Sequence, residues 1–147
     1  MILIKSPKTE KEYNAYFKFR WETLRKPLGQ PEGSEKDDLE LMSQHIMLVN
    51  EDDCIMGVGR IHFVFNNSYK KAQIRYMAID EKIQKQGYGT KILLELENIA
   101  INNNASNIFL HARIEAINFY EKNNYKKVNK SHLLFNKIQH WLMEKKV

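Results

Sequence analysis

Between residues 72 and 112 the chain reads as strand, turn, helix and strand, and no other stretch limits the fold as strongly. "AQIRYMAID" carries the β-forming residues of a strand, and "IFLHA" is a short continuous apolar run of the kind that forms a buried one. Between them Ile92, Leu93, Leu94, Leu96, Ile99, Ala100 and Ile101 give one apolar face to a helix of about four turns. A helix joining two such strands implies a parallel crossover, which twisted L-peptide strands make right-handed. Its entry turn, Gln84-Lys85-Gln86-Gly87-Tyr88-Gly89-Thr90, holds two of the six glycines in the chain.

The remaining segments arrange themselves around this unit. "MILIK" reads as a first strand, and Thr9 with Glu12 gives a capping box for a helix whose Tyr13, Tyr16, Phe17, Arg20 and Leu24 share one side. Pro27 to Asp38 concentrates Pro, Gly and charge, which predicts a loop or broken helical turn; it is a candidate substrate lid or an ordinary exposed connection. "HIMLVN" and "CIMGVGRIHFVF" predict a hairpin turning at "EDD", and "AQIRYMAID" extends it to an antiparallel meander of three strands. Gly57 and Gly59 lie inside a strand, so they mark a bulge or close packing. "RIEAINFYEKNN" predicts a second helix ending at Asn123-Asn124, and "YKKV" and "LLFNKIQHWLMEK" predict two closing strands. The result is a mixed α/β layout around one sheet, in a single domain spanning residues 1 to 147.

Composition excludes several classes. The chain has 147 residues, 43% hydrophobic and 28% charged, which suits one folded globular domain. Cys54 is the only cysteine, so an intrachain disulfide and a multi-thiolate zinc cluster are excluded, and a reducing cytoplasm fits. No His pair has the i, i+4 helical spacing of a metal site, so no metal is expected. No apolar stretch approaches the roughly 20 residues needed to span a bilayer, and "MILIKSPKTEKEY" lacks a signal-peptide core. A net charge of +5 favours anionic partners, but Lys70-Lys71, Lys126-Lys127 and Lys145-Lys146 read as scattered solvated surface. A basic nucleic-acid module therefore ranks last, and neither nucleic acid nor membrane is expected as a partner.

A helix start offers unpaired backbone N–H groups and a partial positive charge, and glycines there let the amides approach an anion. Three phosphate cradles share that chemistry. A Walker A loop needs Lys-Ser/Thr directly after its last glycine, whereas Gly89 is followed by Thr90-Lys91. A dinucleotide fingerprint needs a third glycine, whereas Ile92 stands at that position. The third is a Q/R-x-x-G-x-G/A cradle, which Gln84-x-x-Gly87-x-Gly89 matches.

In this turn the chain resembles the GNAT superfamily of N-acetyltransferases, whose members bind acetyl-CoA through it. Ala116-Ile117-Asn118-Phe119-Tyr120-Glu121-Lys122-Asn123-Asn124-Tyr125 is similar to the family's A-x-x-F-Y-x-K-x-G-F/Y segment, with Asn124 where Gly is usual. "KIQHWLMEK" is similar to its closing strand. The resemblance implies a mostly antiparallel central sheet with helices on both faces. It further implies that the amides of Lys85, Gln86, Gly87, Tyr88, Gly89 and Thr90, with Gln84, hold the pyrophosphate. The backbone of Met77, Ala78 and Ile79 would pair with the pantetheine arm beside a strand bulge, and Asn118 would touch the same arm.

Acetyl transfer needs a neutral amine, a donor to polarise the carbonyl and a proton for the departing thiolate. Tyr120 matches the family's tyrosine in that last role. Many members carry a glutamate base on the strand before the cradle, but Arg75 and Tyr76 stand here, so histidine is the natural substitute. His111, at the end of "IFLHA", leads, ahead of His45, His62, His132 and His140; a structural histidine is the ordinary alternative for each. The expected function is acetyl transfer from acetyl-CoA to a primary amine by direct attack, in a cytoplasmic enzyme for which a homodimer is the default. Cys54 is not expected to be a nucleophile. The alternative is a noncatalytic acyl-CoA-binding regulator using the same cradle.

Overall fold

The computed structural model describes residues 1–147, apart from the side chain of residue 66. Seven strands form one sheet: β1 (Leu3–Lys5), β2 (Gln44–Val49), β3 (Ile55–Asn66), β4 (Tyr69–Ile79), β5 (Asn107–Arg113), β6 (Lys126–Leu134) and β7 (Ile138–Lys146). Their order is β1-β2-β3-β4-β5-β7-β6. Three helices join them, α1 (Glu10–Leu24), α2 (Tyr88–Asn102) and α3 (Ile117–Lys122). The β1/β2, β2/β3, β5/β7 and β6/β7 pairs are antiparallel. Only two residues separate β3 from its neighbour β4, which an antiparallel pair alone permits. The one crossover pair, β4/β5, is parallel, with register from Lys71↔Asn107 to Ile74↔Leu110. Contacts sort into two compact units, Met1–His62 with Tyr76–Leu96, and Phe63–Arg75 with Glu97–Val147.

In the first unit α1 starts at the expected capping box. Thr9 Oγ1 accepts from the Glu12 amide at 3.1 Å and Glu12 Oε1 accepts from the Thr9 amide at 3.1 Å. Lys5 and then the amides of Thr9 and Lys8 draw the Glu12 pKa down to about 2. Tyr16 then packs with Met47, Val49 and Val58 on one face of the sheet. Strand alternation sends Ile46, Leu48, Gly57 and Gly59 to the opposite face, where α2 lies. The two glycines are the reason α2 can approach so closely. A Cβ at Gly59 would stand 2.9 Å from Ile92 Cγ2 and 3.0 Å from Leu96 Cδ1, and one at Gly57 would stand 2.9 Å from Ile79 Cδ1. Close packing is thus the outcome at both positions, and helices cover both faces.

In the second unit, Ile108, Leu110 and Ala112 of β5 are buried while Phe109, His111 and Arg113 alternate onto the other face. His140 pairs with Arg113 and Leu142 with His111, which puts His140 on the His111 face. The His132 ring stands 5.3 Å from that of His111 and stacks on His140 at 4.4 Å. Asn124 takes φ +72 after α3, so asparagine fills the left-handed position usual for glycine.

Three expectations change. Leu133 and Leu134 close β6 instead of opening β7, because Phe135 (φ 52) and Asn136 (φ 56) turn the chain with two successive left-handed residues and no glycine marks the site. Cys54 lies in an exposed turn before β3, held there by Asn50 Oδ1, which accepts from the Asp52 and Cys54 amides at 2.9 and 3.0 Å. Two of the surface lysines have internal partners: Lys70 donates to the Asn103 carbonyl at 2.8 Å, and Lys145 to the Glu97 carboxylate at 3.2 Å.

Gly59→Ala should therefore cost about 1–3 kcal/mol, since the branched Ile92 side chain cannot yield freely; urea unfolding measures it, and an unchanged midpoint would refute the close-packing account. A second expectation concerns pH. His45, His111, His132 and His140 all have pKa values lowered from 6.5, burial being the largest cause in each. The unfolded chain therefore takes up more protons than the folded chain as pH falls, so stability is full above about pH 6.5 and declines below it. Melting temperatures measured between about pH 7.5 and 5 should fall with pH, and His140→Gln should flatten the slope.

Candidate active site

The turn between β4 and α2 is built from backbone. Asp80 caps a single 3-10 turn, Glu81–Ile83, through its Oδ1 on the Lys82 amide at 2.8 Å. Gln84 is extended, and Lys85 (φ 62) and Gly87 (φ 89) are both left-handed, a turn of the kind that can gather backbone N–H groups into an anion-binding nest. The first intrahelical bond of α2 runs from the Lys91 amide to the Gly87 carbonyl at 3.1 Å. The amides of Tyr88, Gly89 and Thr90 consequently have no i−4 partner. Gln84, Lys85, Gln86 and Gly87 are exposed, and nothing lies within 4 Å of where a Gly87 Cβ would be. Exposed amides at a positive helix end, with Lys82, Lys85 and Lys91 nearby in sequence, fit a pyrophosphate.

The Gln84 side chain also has a partner within the protein. Its side-chain amide donates to the Ile79 carbonyl at 3.1 Å, bracing the nest against the end of β4. The β4 residues next to it, Met77 to Ile79, follow Tyr76, which takes φ +56 within the strand. The strand continues through this left-handed residue to Ile79.

Buried charge holds Tyr76 in place. The Arg20 guanidinium lies 3.7 Å from the centre of its ring and that of Arg60 lies 5.0 Å away. Both arginines are fully buried. Glu40 binds them together: its two oxygens accept from Arg20 Nη1 and Nη2 at 3.0 and 2.8 Å, and Oε2 also accepts from Arg60 Nη1 at 3.0 Å. Asp37 takes a further bond from Arg60 at 2.6 Å. Burial alone would raise the Glu40 pKa, but Arg20, then the Asp37 amide and then Arg60 hold it below the usual carboxylate range. The loop from Pro27 to Asp38 is anchored to the same cluster through Asp37, and to α1 through Trp21 Nε1 on the Gln30 carbonyl at 2.9 Å. Sequence reasoning placed Arg20 on the packed side of α1 but did not find its partners, because Glu40 and Arg60 lie on other elements.

The histidines divide by what they bond. His45 is engaged on both ring nitrogens, Nδ1 with the Tyr16 hydroxyl and Nε2 with the Glu40 carbonyl, each at 2.8 Å. His62 Nδ1 accepts from Arg60 at 3.2 Å, and His140 Nδ1 donates to the Ile138 carbonyl at 3.1 Å. His111 is half-buried, and its buried Nδ1 has no hydrogen-bond partner among the described residues. Burial, then His132 and Arg75, lower its pKa, which favours the neutral imidazole. Tyr120 is buried in α3, and burial raises its pKa, so its hydroxyl keeps its proton. Asn118, on the same short helix, is exposed. Among the described residues no group of three His, Cys, Asp or Glu side chains could hold a metal.

Comparison with known proteins agrees with this geometry. The sequence profile of the acetyltransferase (GNAT) family matches residues 7–125. The uncharacterized N-acetyltransferase YjcF of Bacillus subtilis is 28% identical over 138 residues, which cover 94% of this chain and 95% of that protein. An acyl-CoA N-acyltransferase from Pseudomonas aeruginosa superposes with a TM-score of 0.82 at 19% identity, over 99% of this chain and 98% of its own. An aminoglycoside 6'-N-acetyltransferase in complex with coenzyme A superposes at 0.77 with 14% identity, over 99% and 96%. With the family profile matched over residues 7–125 of its 147, the chain belongs to the GNAT family and is an acyltransferase.

Proposed function

We propose that this chain is an N-acetyltransferase that moves acetyl from acetyl-CoA to a primary amine of a small molecule or peptide by direct attack. The unpaired amides at the start of α2, directly after the left-handed Lys85 and Gly87, are the observation that supports the proposal. The backbone amides there receive the pyrophosphate, and the backbone of Met77, Ala78 and Ile79 pairs with the pantetheine arm, with Asn118 as a further polar contact. A bound thioester supplies an activated acyl group on a thiolate leaving group. The neutral amine attacks the carbonyl carbon, the new C–N bond forms, the C–S bond breaks, and the electron pair leaves with sulfur. Tyr120 gives its proton to that sulfur, supported by its burial in the neutral form. His111 takes the proton that the amine loses, supported by its unpartnered Nδ1 and lowered pKa. Cys54, exposed in a turn after β2, has no part in a covalent route.

The domain in this proposal is the whole of residues 1 to 147, working in the cytoplasm, with a homodimer as the default assembly. Among the described residues no helix is long and apolar enough to cross a membrane. A second reading, a noncatalytic acyl-CoA-binding regulator, draws support from β4. Arg75 and Tyr76 occupy the place of the family's strand carboxylate, and Tyr76 is covered by arginines.

Calorimetry with acetyl-CoA should show saturable binding, and Gly87→Val, which forces a branched side chain into φ +89, should weaken it at least about tenfold while circular dichroism stays unchanged. No binding by the unmodified protein at millimolar acetyl-CoA would end the proposal. Tyr120→Phe should keep that affinity and lower acetyl transfer about a hundredfold or more, measured as thiol release in a mass-spectrometric screen of amines, polyamines, amino acids and peptides. A regulator would bind equally well and acetylate nothing in either form.

A further inference from the structure

A second buried network stands directly behind Tyr120. Tyr125 presents its ring edge to that of Tyr120, with centroids 5.7 Å apart and planes at 70°. The Tyr125 hydroxyl donates to Glu97 Oε2 at 2.9 Å in the interior, and burial followed by the Glu97 charge raises its pKa, so the donor stays protonated. Lys145 Nζ, on β7, reaches both Glu97 oxygens at 3.2 Å and the Asn123 carbonyl at 3.1 Å. The backbone closes the same assembly: the Tyr120 carbonyl accepts from the amides of Asn123 and Tyr125, both at 3.0 Å, a double bond geometry completed by Asn124 at φ +72.

Glu97 and Tyr125 are buried, at 6% and 2% exposure. If stability were all that this group supplied, an apolar cluster of equal volume would serve as well, since desolvation cancels most of what a buried ion pair gains. What a satisfied buried network provides in addition is one geometry, because every donor and acceptor in it has a single arrangement that leaves none unpaired. Here that geometry is imposed on the ring in contact with Tyr120 and on the turn that follows α3.

We infer that Glu97, Tyr125 and Lys145 form a positioning device that fixes the Tyr120 hydroxyl for proton donation to the departing thiolate. The inference rests on the donor role proposed for Tyr120. Glu97 is the anchor, Lys145 offsets its charge and joins β7 to the end of α3, and Tyr125 transmits the arrangement to Tyr120. None of the three touches the reacting atoms.

CoA itself is the probe, and no acceptor is required. A hydroxyl held against sulfur stabilises the thiolate, so the thiol of bound CoA should ionise at lower pH than that of free CoA, followed by thiolate absorbance during a pH titration of the saturated protein. Tyr120→Phe should raise that thiol pKa by about one, a tenfold loss of acidity, and Tyr125→Phe should raise it partway with CoA affinity unchanged. In the double variant Tyr125→Phe should add nothing, because its effect runs through a hydroxyl no longer present. Glu97→Gln, which keeps an acceptor for Tyr125, should lie nearer the unmodified protein than Tyr125→Phe does. Ring-labelled tyrosine NMR should show Tyr120 in one state in the unmodified protein and averaging between states in Tyr125→Phe. If Tyr120→Phe shifts the thiol pKa and Tyr125→Phe does not, or if the two effects add, the positioning inference is wrong while the donor role stands. If neither shifts it, the donor role fails and the inference with it.

Discussion

Glu40 holds two fully buried guanidinium groups with one carboxylate, and the local form of β4 depends on it. Removing an arginine from water without a partner is too costly for the folded state to bear, so Arg20 and Arg60 must both find acceptors in the interior. Glu40 and Asp37 supply them, and the arginines in turn cover the ring of Tyr76, whose positive φ would otherwise be a strained exception within a strand. The next three residues, Met77 to Ile79, inherit their direction from that break. Charge buried beneath one aromatic ring thereby sets where the backbone proposed to meet the pantetheine arm begins.

The same physics recurs around Glu97 with different participants. A carboxylate sits in the interior, a lysine offsets it, and a tyrosine hydroxyl takes the remaining acceptor capacity. In each network a buried acid organises aromatic rings, and the rings adjoin segments assigned to chemistry. Hydrophobic burial drives the fold; these two acids choose among the packings that burial alone would allow.

Local signals were readable in the sequence because their causes lie within a few residues. The Thr9–Glu12 capping box, the left-handed Asn124 and the glycine turn at the start of α2 each follow from neighbours in the chain. Gly57 and Gly59 pointed to a bulge or to close packing without naming what packs, since Ile92 and Leu96 come more than thirty residues later. Partners across elements left no trace: nothing in the run of lysines distinguishes Lys145, which reaches Glu97, from its exposed neighbour Lys146. The end of β6 was misjudged for a related reason. Phe135 turns the chain at a positive φ that residue type argues against, and the strands on either side impose it.

The bond from the Gln84 side chain to the Ile79 carbonyl carries a consequence for selectivity. It ties the turn before α2 to the end of β4 across the four residues from Asp80 to Ile83, so the distance between the proposed phosphate seat and the proposed arm-binding strand is fixed like the marks on a ruler. A ruler of that kind measures the length of the carrier and is blind to what hangs from its far end. On the proposed function, discrimination among acetyl and longer acyl groups falls to side chains beyond β4, and a family of such enzymes could change its acyl group without altering the turn that holds CoA.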